Sequence, residues 1–299
     1  CRCRARYWVY VGYEGQVLRE IDGGPGAARV DVAANTGVGF ATAVAARTQQ
    51  YGLFLDVKGA LYQATLPGGT PRQLAVGPWS GVAISASGGY AVAYGSQGAA
   101  PQIISGLPLE PAFQNIDVQG AGVVAAAVSD GGVVLLATKA SGGVAILASA
   151  PGAAASRVMT IGAAGGMAFV PESDRALVAD ASSGTVTQLD HVGGAATPSL
   201  LSGAKLSSPV GMDISADGRW AVAANGSGTV TRMDLSGQSM PVTAKCGCTP
   251  TTVASLSGAA FRLTEAGSST AWMVDASGTA PRVLFIPALP GQKIAGGGQ

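Results

Sequence analysis

Two stretches decide the fold: RALVADASSGTVTQLD at 175–190 and RWAVAANGSGTVTRMD at 219–234. Each reads as an apolar strand, a Gly-containing turn, and a second strand ending in Asp. Each also follows a matching stretch, GGMAFVPESD and VGMDISADG, which adds one strand and one polar turn ahead of it. A fourth strand and a Gly or Pro turn come after, as in MPVTAKCGCTP. Short runs of small and β-branched residues punctuated by Gly and Asp are the composition of antiparallel strands joined by tight turns.

Weaker copies fill the chain. WSGVAISASGGYAVAYGSQG (79–98) and AGVVAAAVSDGGVVLLATKASG (121–142) carry the first two strands of the unit. YGLFLDVKGALYQATL (51–66), AAFRLTEAGSSTAWMVD (259–275) and RYWVYVGYEGQVLREID (6–22) carry the middle pair. The turn between second and third strands falls at Gly15, Gly59, Gly98, Gly142, Gly184, Gly228 and Ser269, a spacing of 39 to 44 residues. A four-stranded unit repeated about seven times at that period predicts an all-β, seven-bladed β-propeller of four-stranded blades. Solenoid coils have shorter periods, and sandwiches do not repeat a four-strand unit so regularly.

The stretches YWVYVGYEGQVLREID and VGMDISADGRWAVAANGSGTVTRMD, with their Gly/Pro-rich joints, resemble the YVTN/NHL-type propeller repeat family. The resemblance covers nearly the whole chain and implies the fold alone. That family includes surface-layer proteins, periplasmic binders and lactonase- or lyase-like enzymes, so the resemblance assigns no function.

The first repeat begins at its second strand. The C-terminal PGQKIAGGGQ can be laid over PWSGVAISASGG, so that Lys293 to Gly296 match Gly81 to Ile84. The C-terminal segment is therefore expected to supply the innermost strand of the first blade and close the ring. Residues 1–5 then form an N-terminal Cys-x-Cys arm, and 6–299 a single propeller domain.

The four cysteines, Cys1, Cys3, Cys246 and Cys248, fall in two Cys-x-Cys pairs. Read as a mature terminus, Cys1 implies a removed targeting segment, export, and disulfides formed in an oxidising compartment at the cell surface or outside it. The arm precedes a second strand and so belongs to one face of the disc. Residues 245–248 belong to a joint between blades on the other face. A strand of about five residues separates the faces by roughly 17 Å, beyond the 4.4–6.8 Å or so that a disulfide spans between Cα atoms. Head-to-tail stacking would bring the pairs together between copies and give a filament or surface layer. Other arrangements stay open: the arm folded back to bond within one copy, bonds inside each Cys-x-Cys, free thiols, or Cys1 as an acylated lipoprotein cysteine. A four-cysteine zinc site is disfavoured, because one-residue spacing is tighter than metal sites use.

Catalytic chemistry has few candidates. His191 stands alone in LDHVGG, which excludes a multi-His metal centre, and no strand-to-helix Gly-x-Ser-x-Gly accompanies it. Asp22, Asp190, Asp234 and Asp275 recur at strand ends, which points to turn hydrogen bonding. Trp8, Trp79, Trp220 and Trp272 are expected to pack between blades. Asn225 opens a glycosylation sequon on a turn. With 18 Lys+Arg against 17 Asp+Glu there is no basic stripe for nucleic acid, and no apolar run reaches the length of a membrane helix. No cofactor motif is present. The expectation is an exported, non-catalytic, self-assembling structural propeller. The alternatives are a periplasmic or surface-anchored module binding a glycan or small ligand on one face, and a lactonase- or lyase-type enzyme.

Overall fold

In the computed structural model, the described residues are 39–47, 50–66, 69–96, 100–264 and 271–286, together with the backbone of 9–14, 17–22 and 31–35. All regular structure among them is β-strand. The strands β1 (Val9–Glu14), β2 (Val17–Asp22) and β3 (Asp31–Asn35) form a three-stranded sheet. Six four-stranded antiparallel sheets follow, each running through consecutive strands. The first holds β4 (Phe40–Ala45), β5 (Tyr51–Asp56), β6 (Ala60–Thr65) and β7 (Arg72–Val76). The next holds β8 (Gly81–Ile84), β9 (Ala91–Tyr94), β10 (Gln102–Ser105) and β11 (Ala112–Asn115). Then come β12 (Val123–Val128), β13 (Val134–Ala140), β14 (Gly143–Ser149) and β15 (Ser156–Ile161). The GGMAF repeat gives β16 (Ala164–Phe169), β17 (Ala176–Asp180), β18 (Thr185–Asp190) and β19 (Thr197–Leu200). The VGMDI repeat gives β20 (Pro209–Ile214), β21 (Trp220–Asn225), β22 (Thr229–Asp234) and β23 (Val242–Lys245). The last blade is β24 (Ala254–Ser255), β25 (Ala260–Arg262), β26 (Ala271–Asp275) and β27 (Arg282–Ile286).

The expected seven four-stranded blades are therefore corrected to six. The first repeat, which begins at its second strand, forms only the three-stranded sheet. Its β1 lies beside β4 much as β5, β9 and β17 lie beside the first strand of the following blade. The segment expected to complete it, 290–299, lies outside the described residues, as does the arm 1–5.

The first strand of each blade is innermost: β4, β8, β12, β16, β20 and β24 line one central cavity. In β4, β12, β16 and β20 the pairing with the next strand slips by one residue near the start. Such a bulge bends and twists a strand, and its recurrence keeps these strands alike around the axis. Second strands are covered on both faces, so β5 and β21 are buried at every residue while outermost β19 is exposed throughout. This explains why second strands read as continuous apolar runs in the sequence.

Each blade-to-blade seam carries its own core. Leu53 and Leu55 meet Val82 and Ile104, and Val92 meets Val123 and Leu136. Leu135 and Ile146 meet Phe169 and Val178. Leu177 and Val186 meet Met212 and Ile214, and Val222 and Val230 meet Phe261 and Val274. Burying such side chains stabilises by about 1.5–3 kcal/mol each, so the ring is held chiefly at these seams.

Glycine has a specific duty in the turn between second and third strands. Gly59, Gly184 and Gly228 have φ of 84°, 69° and 81°. A Cβ on Gly184 would sit 2.3 Å from the carbonyl oxygen of Leu206, in the joint entering the next blade. The joint bonds back: Gly77, Leu206 and Cys246 amides donate to the carbonyls of Gly59, Gly184 and Gly228 at 3.2, 2.8 and 3.0 Å. At these three repeat positions read from sequence, the blade fastens to the next joint.

Candidate functional site

The central cavity encloses about 330 Å³, at the small end of ligand pockets, which run from roughly 300 to 1,000 Å³. Its wall is mostly Ala, Val and Met from the innermost strands, because only small side chains fit where the blades converge. Arg47, Asp213, Arg262, Ser85, Tyr94 and Ser255 also line it, and polar atoms make up most of its surface.

Arg47 follows β4 in the turn to β5, and Asp213 lies on β20. Three blades separate them along the ring, so the pair reaches across the axis. Arg47 Nη2 donates to Asp213 Oδ1 at 3.0 Å, and Nη1 donates to the Ser215 carbonyl at 3.3 Å. Asp213 is also held by backbone: Ile214 N donates to Oδ1 and Ser255 N to Oδ2, both at 2.7 Å. The Ser215 carbonyl already accepts from Gly218 N at 2.9 Å. Ser255 is 9% exposed, and its Oγ has no hydrogen-bond partner among the described residues. Arg262, on β25 opposite Ala254, is buried.

The turns between first and second strands surround this end of the axis. Ser85, Ser129 and Ser215 are buried there and accept the amides of Tyr90, Val133 and Trp220 at 3.2, 2.9 and 2.9 Å. Asp130 joins three consecutive blades by accepting Ser87 N at 2.6 Å and Glu172 N at 2.9 Å. Burial would raise its carboxyl pKa; the Glu172 and Ser87 amides and the charge of Arg47 hold it below the ordinary value instead. Tyr51 donates to the Gly88 carbonyl of the next blade, and burial raises its pKa, keeping it protonated as a donor.

On the opposite face, Cys246 and Cys248 lie at the joint leaving β23, as their place in the repeat implies, and are bonded to each other. This is the within-pair arrangement rather than the cross-pairing favoured from sequence. Cys1 and Cys3 lie outside the described residues. Cys246 is buried and Cys248 half-buried. Asn225 is 1% exposed. Its Oδ1 accepts Ser207 N at 3.1 Å, and its Nδ2 donates to Thr229 and Thr231 hydroxyls at 3.0 and 3.1 Å. The folded chain leaves that nitrogen no room for a glycan, which corrects the sequon reading.

His191, at a turn with φ of 58°, is 75% exposed and pairs with Asp174 at 3.4 Å, away from the cavity lining. Asp234 and Asp275 cap their own turns, accepting Ser236 N at 3.0 Å and Ser277 N at 2.9 Å. Asp190 instead accepts Gln188 Nε2 at 3.0 Å, and the side chain of Asp22 lies outside the described residues. Trp79 stacks on Phe113, and Trp272 meets Phe285. Trp220 is covered by Arg219 at 4.5 Å and Arg232 at 4.2 Å; Trp8 lies outside the described residues. Arg232, 3% exposed, reaches into the last blade to donate to the carbonyls of Ala276 (3.1 Å), Gly278 and Thr279 (2.9 Å).

Sequence reading missed the axial charges, though one leaves a trace. Arg47 stands where other repeats place Ala86 and Ala216, and Asp213 where they place Val44 and Ala83. For Asp213, a charge at an otherwise small, apolar repeat position was the available signal; the position of Arg47 also carries Asp130 in another blade and gives no such signal.

No family profile matches the chain, and no curated protein matches it. Solved structures do. A functionally unknown protein from Desulfotomaculum acetoxidans DSM 771 matches with a TM-score of 0.66 and 14% identity, over 94% of this chain and 99% of that one. A chain of a nidogen/laminin complex matches with a TM-score of 0.53 and 13% identity, over 79% of this chain and 93% of that one. The fold is a β-propeller. Identities this low carry the propeller architecture and nothing about activity. Among the described residues of the propeller, no helix is long and apolar enough to cross a membrane.

Proposed function

We propose that this propeller is an exported, non-catalytic binding module that holds a small ligand in its axial cavity. The single observation that carries the reading is the Arg47–Asp213 pair set across the 330 Å³ axial cavity. Polar groups converging in a concave site fix a ligand's orientation. The seam cores already hold the ring, so charges at the axis are surplus to closure. The Cys246–Cys248 bond supports export, since disulfides persist in oxidising compartments.

The test compares wild type with Ala83→Trp, which plugs the cavity from β8. Both are equilibrated with an extract of the producing cells and examined by native mass spectrometry. A small-molecule adduct on wild type that is lost in the plugged variant is expected. Equal adducts on both, or none on either, refute axial binding.

A second reading is head-to-tail assembly into a filament or surface layer, supported by where the Cys246–Cys248 pair sits and not by its bonding. The Cys246–Cys248 bond lies on the face opposite the turns around Arg47, with Cys248 half-buried. If Cys1 and Cys3 of another copy are bonded likewise, exchange breaks two disulfides and forms two between copies. That step is redox-neutral and needs only a trace of thiolate to start it. Non-reducing electrophoresis should then show a ladder that collapses on reduction; a monomer band unmoved by reduction refutes assembly.

A further inference from the structure

We infer that the axial cavity takes a neutral, polyhydroxylated molecule the size of one sugar ring, held through neighbouring hydroxyls by Arg47, Asp213 and Ser255. The inference rests on the axial-binding reading and adds the chemistry of the ligand.

The surface of the cavity sets the class. Polar atoms make up most of it, although most of the side chains around it are small and apolar. A hydrocarbon body would cover those polar atoms without pairing them, which is costly. A molecule dense in hydroxyls replaces displaced water bond for bond. The volume of about 330 Å³ lies at the small end of ligand pockets, which suits a single ring.

Three blades supply the recognising groups. Asp213 lies on β20 and Ser255 on β24 of the next blade, while Arg47 reaches across the axis from the turn after β4. Arg47 spends one N–H of Nη2 on Asp213 and one of Nη1 on the Ser215 carbonyl. The other donors of its fork are unused among the described residues. Asp213 Oδ1 accepts from both Arg47 and Ile214 N, but Oδ2 accepts only from Ser255 N. A carboxylate oxygen can take two such bonds, so Oδ2 keeps one position open. Ser255 is the independent pointer. It lines the cavity, is 9% exposed, and its Oγ has no partner among the described residues. Buried hydroxyls nearly always find a partner. A spare donor, a spare acceptor and a hydroxyl that can be either, set around one cavity, match ligand hydroxyls, whose oxygens both give and take hydrogen bonds.

Charge adds nothing to that match. Arg47 and Asp213 already compensate each other at 3.0 Å, so an ion of either sign is drawn by one and repelled by the other. Arg262 also borders the cavity, but it has an interaction of its own and is no part of this set. The pair stays made while the hydroxyls bind, so binding strands neither charge.

The test titrates glucose, myo-inositol, glucuronate, glucosamine and cyclohexanol calorimetrically into wild type, Ser255→Ala and Arg47→Lys. Glucose or myo-inositol is expected to bind wild type tenfold or more tighter than cyclohexanol, with glucuronate and glucosamine both weaker than the better polyol. Ser255→Ala should weaken that polyol about three- to tenfold, the worth of one hydrogen bond. It should leave the thermal midpoint of the ligand-free protein unchanged, because the hydroxyl holds no other part of the chain; a purely structural serine would move the midpoint and not the binding. Arg47→Lys keeps a charge beside Asp213 but loses the fork, and should weaken the polyol by a similar factor. Cyclohexanol binding as tightly as the polyols, either charged sugar binding more tightly than both, or Ser255→Ala binding like wild type overturns the assignment and leaves axial binding standing. Binding of neither polyol also overturns it: the polar groups then hold water only, and axial binding is still decided by the Ala83→Trp comparison.

Discussion

Replacing Arg232 by Ala should destabilise the propeller by about 1.5–5 kcal/mol, although Arg232 does not line the axial cavity. Its guanidinium donates to three carbonyls of the turn between β26 and β27. Ser277, Gly278 and Thr279 are exposed, so the carbonyls of Gly278 and Thr279 regain water when the donor goes. Ala276 is fully buried and its carbonyl does not. Stranding one buried acceptor costs about 1–3 kcal/mol. Loss of the cation stacked 4.2 Å over Trp220 adds about 0.5–2 kcal/mol. Unfolding entropy of about 2.1 cal/mol/K per residue, over 299 residues, gives about 0.6 kcal/mol per degree. The thermal midpoint should therefore fall by about 2–8 °C, with a matching shift in the urea midpoint at constant slope. Arg232→Lys keeps the charge over Trp220 and one donor, and should lose about half as much. An Arg232→Ala variant within about 1 kcal/mol of wild type would show that the turn does not depend on this side chain.

Three further outcomes follow from the same geometry. Gly184→Ala forces a methyl into the left-handed region and against the Leu206 carbonyl, and should cost about 2–4 kcal/mol. Gly142→Ala, with φ of 83° and nothing within 4 Å of the added Cβ, should cost only about 1–2 kcal/mol; equal losses in urea melts would refute the close-approach account. Asp130, Asp180 and Asp234 all have folded pKa values below their ordinary values, because hydrogen bonds outweigh burial. Their contribution is present above about pH 4, the unfolded carboxylate pKa, and is lost as pH falls through the lower folded values. Asp130→Asn should accordingly differ from wild type at pH 7, with the gap narrowing in thermal melts as pH falls below about 4; a gap independent of pH would refute the clamp. Replacing both Cys246 and Cys248 by Ser opens a three-residue loop, and the chain-entropy relation gives a loss of about 1.6 kcal/mol. A chemical-denaturation loss well above that would mean the bond also shapes the folded joint.

The repeat made the blades legible because every blade solves the same local problem. Gly59, Gly184 and Gly228 mark the second turn in the sequence since only glycine allows both the positive φ and the joint passing over it. Asp234 and Asp275 were legible as turn residues, and Trp79 and Trp220 as packing, for the same reason: recurrence exposes a shared duty. Asp190 broke ranks by taking a side-chain partner, which no repeat position announces. What recurrence conceals is anything that happens once. Asp130 lies inside a quoted repeat, yet its partners Ser87 and Glu172 are 43 and 42 residues away. Arg47 and Asp213 are 166 residues apart and meet only because the ring closes. Asn225 looked accessible because turns are exposed on average, but it is the last residue of β21, where the joint before β20 covers it.

The contrast between Arg47 and Arg232 carries the functional argument further than either alone. Only 12% of this chain is charged, and taking a guanidinium out of water is costly unless its donors are used. Arg232 meets that condition by donating to three carbonyls of one turn, one of them on the fully buried Ala276. Each acceptor of Arg47 keeps a backbone amide donor when the side chain leaves, so its removal should cost less than that of Arg232, with the part-buried charge of Asp213 setting the loss. A cation that is expensive to place at the axis and holds less of the fold than Arg232 is hard to explain as architecture alone. Measuring Arg47→Ala beside Arg232→Ala in one denaturation series separates the two cases. If Arg47→Ala proves as damaging as Arg232→Ala, the axial pair is a girder, and the ligand reading of the cavity loses its main support.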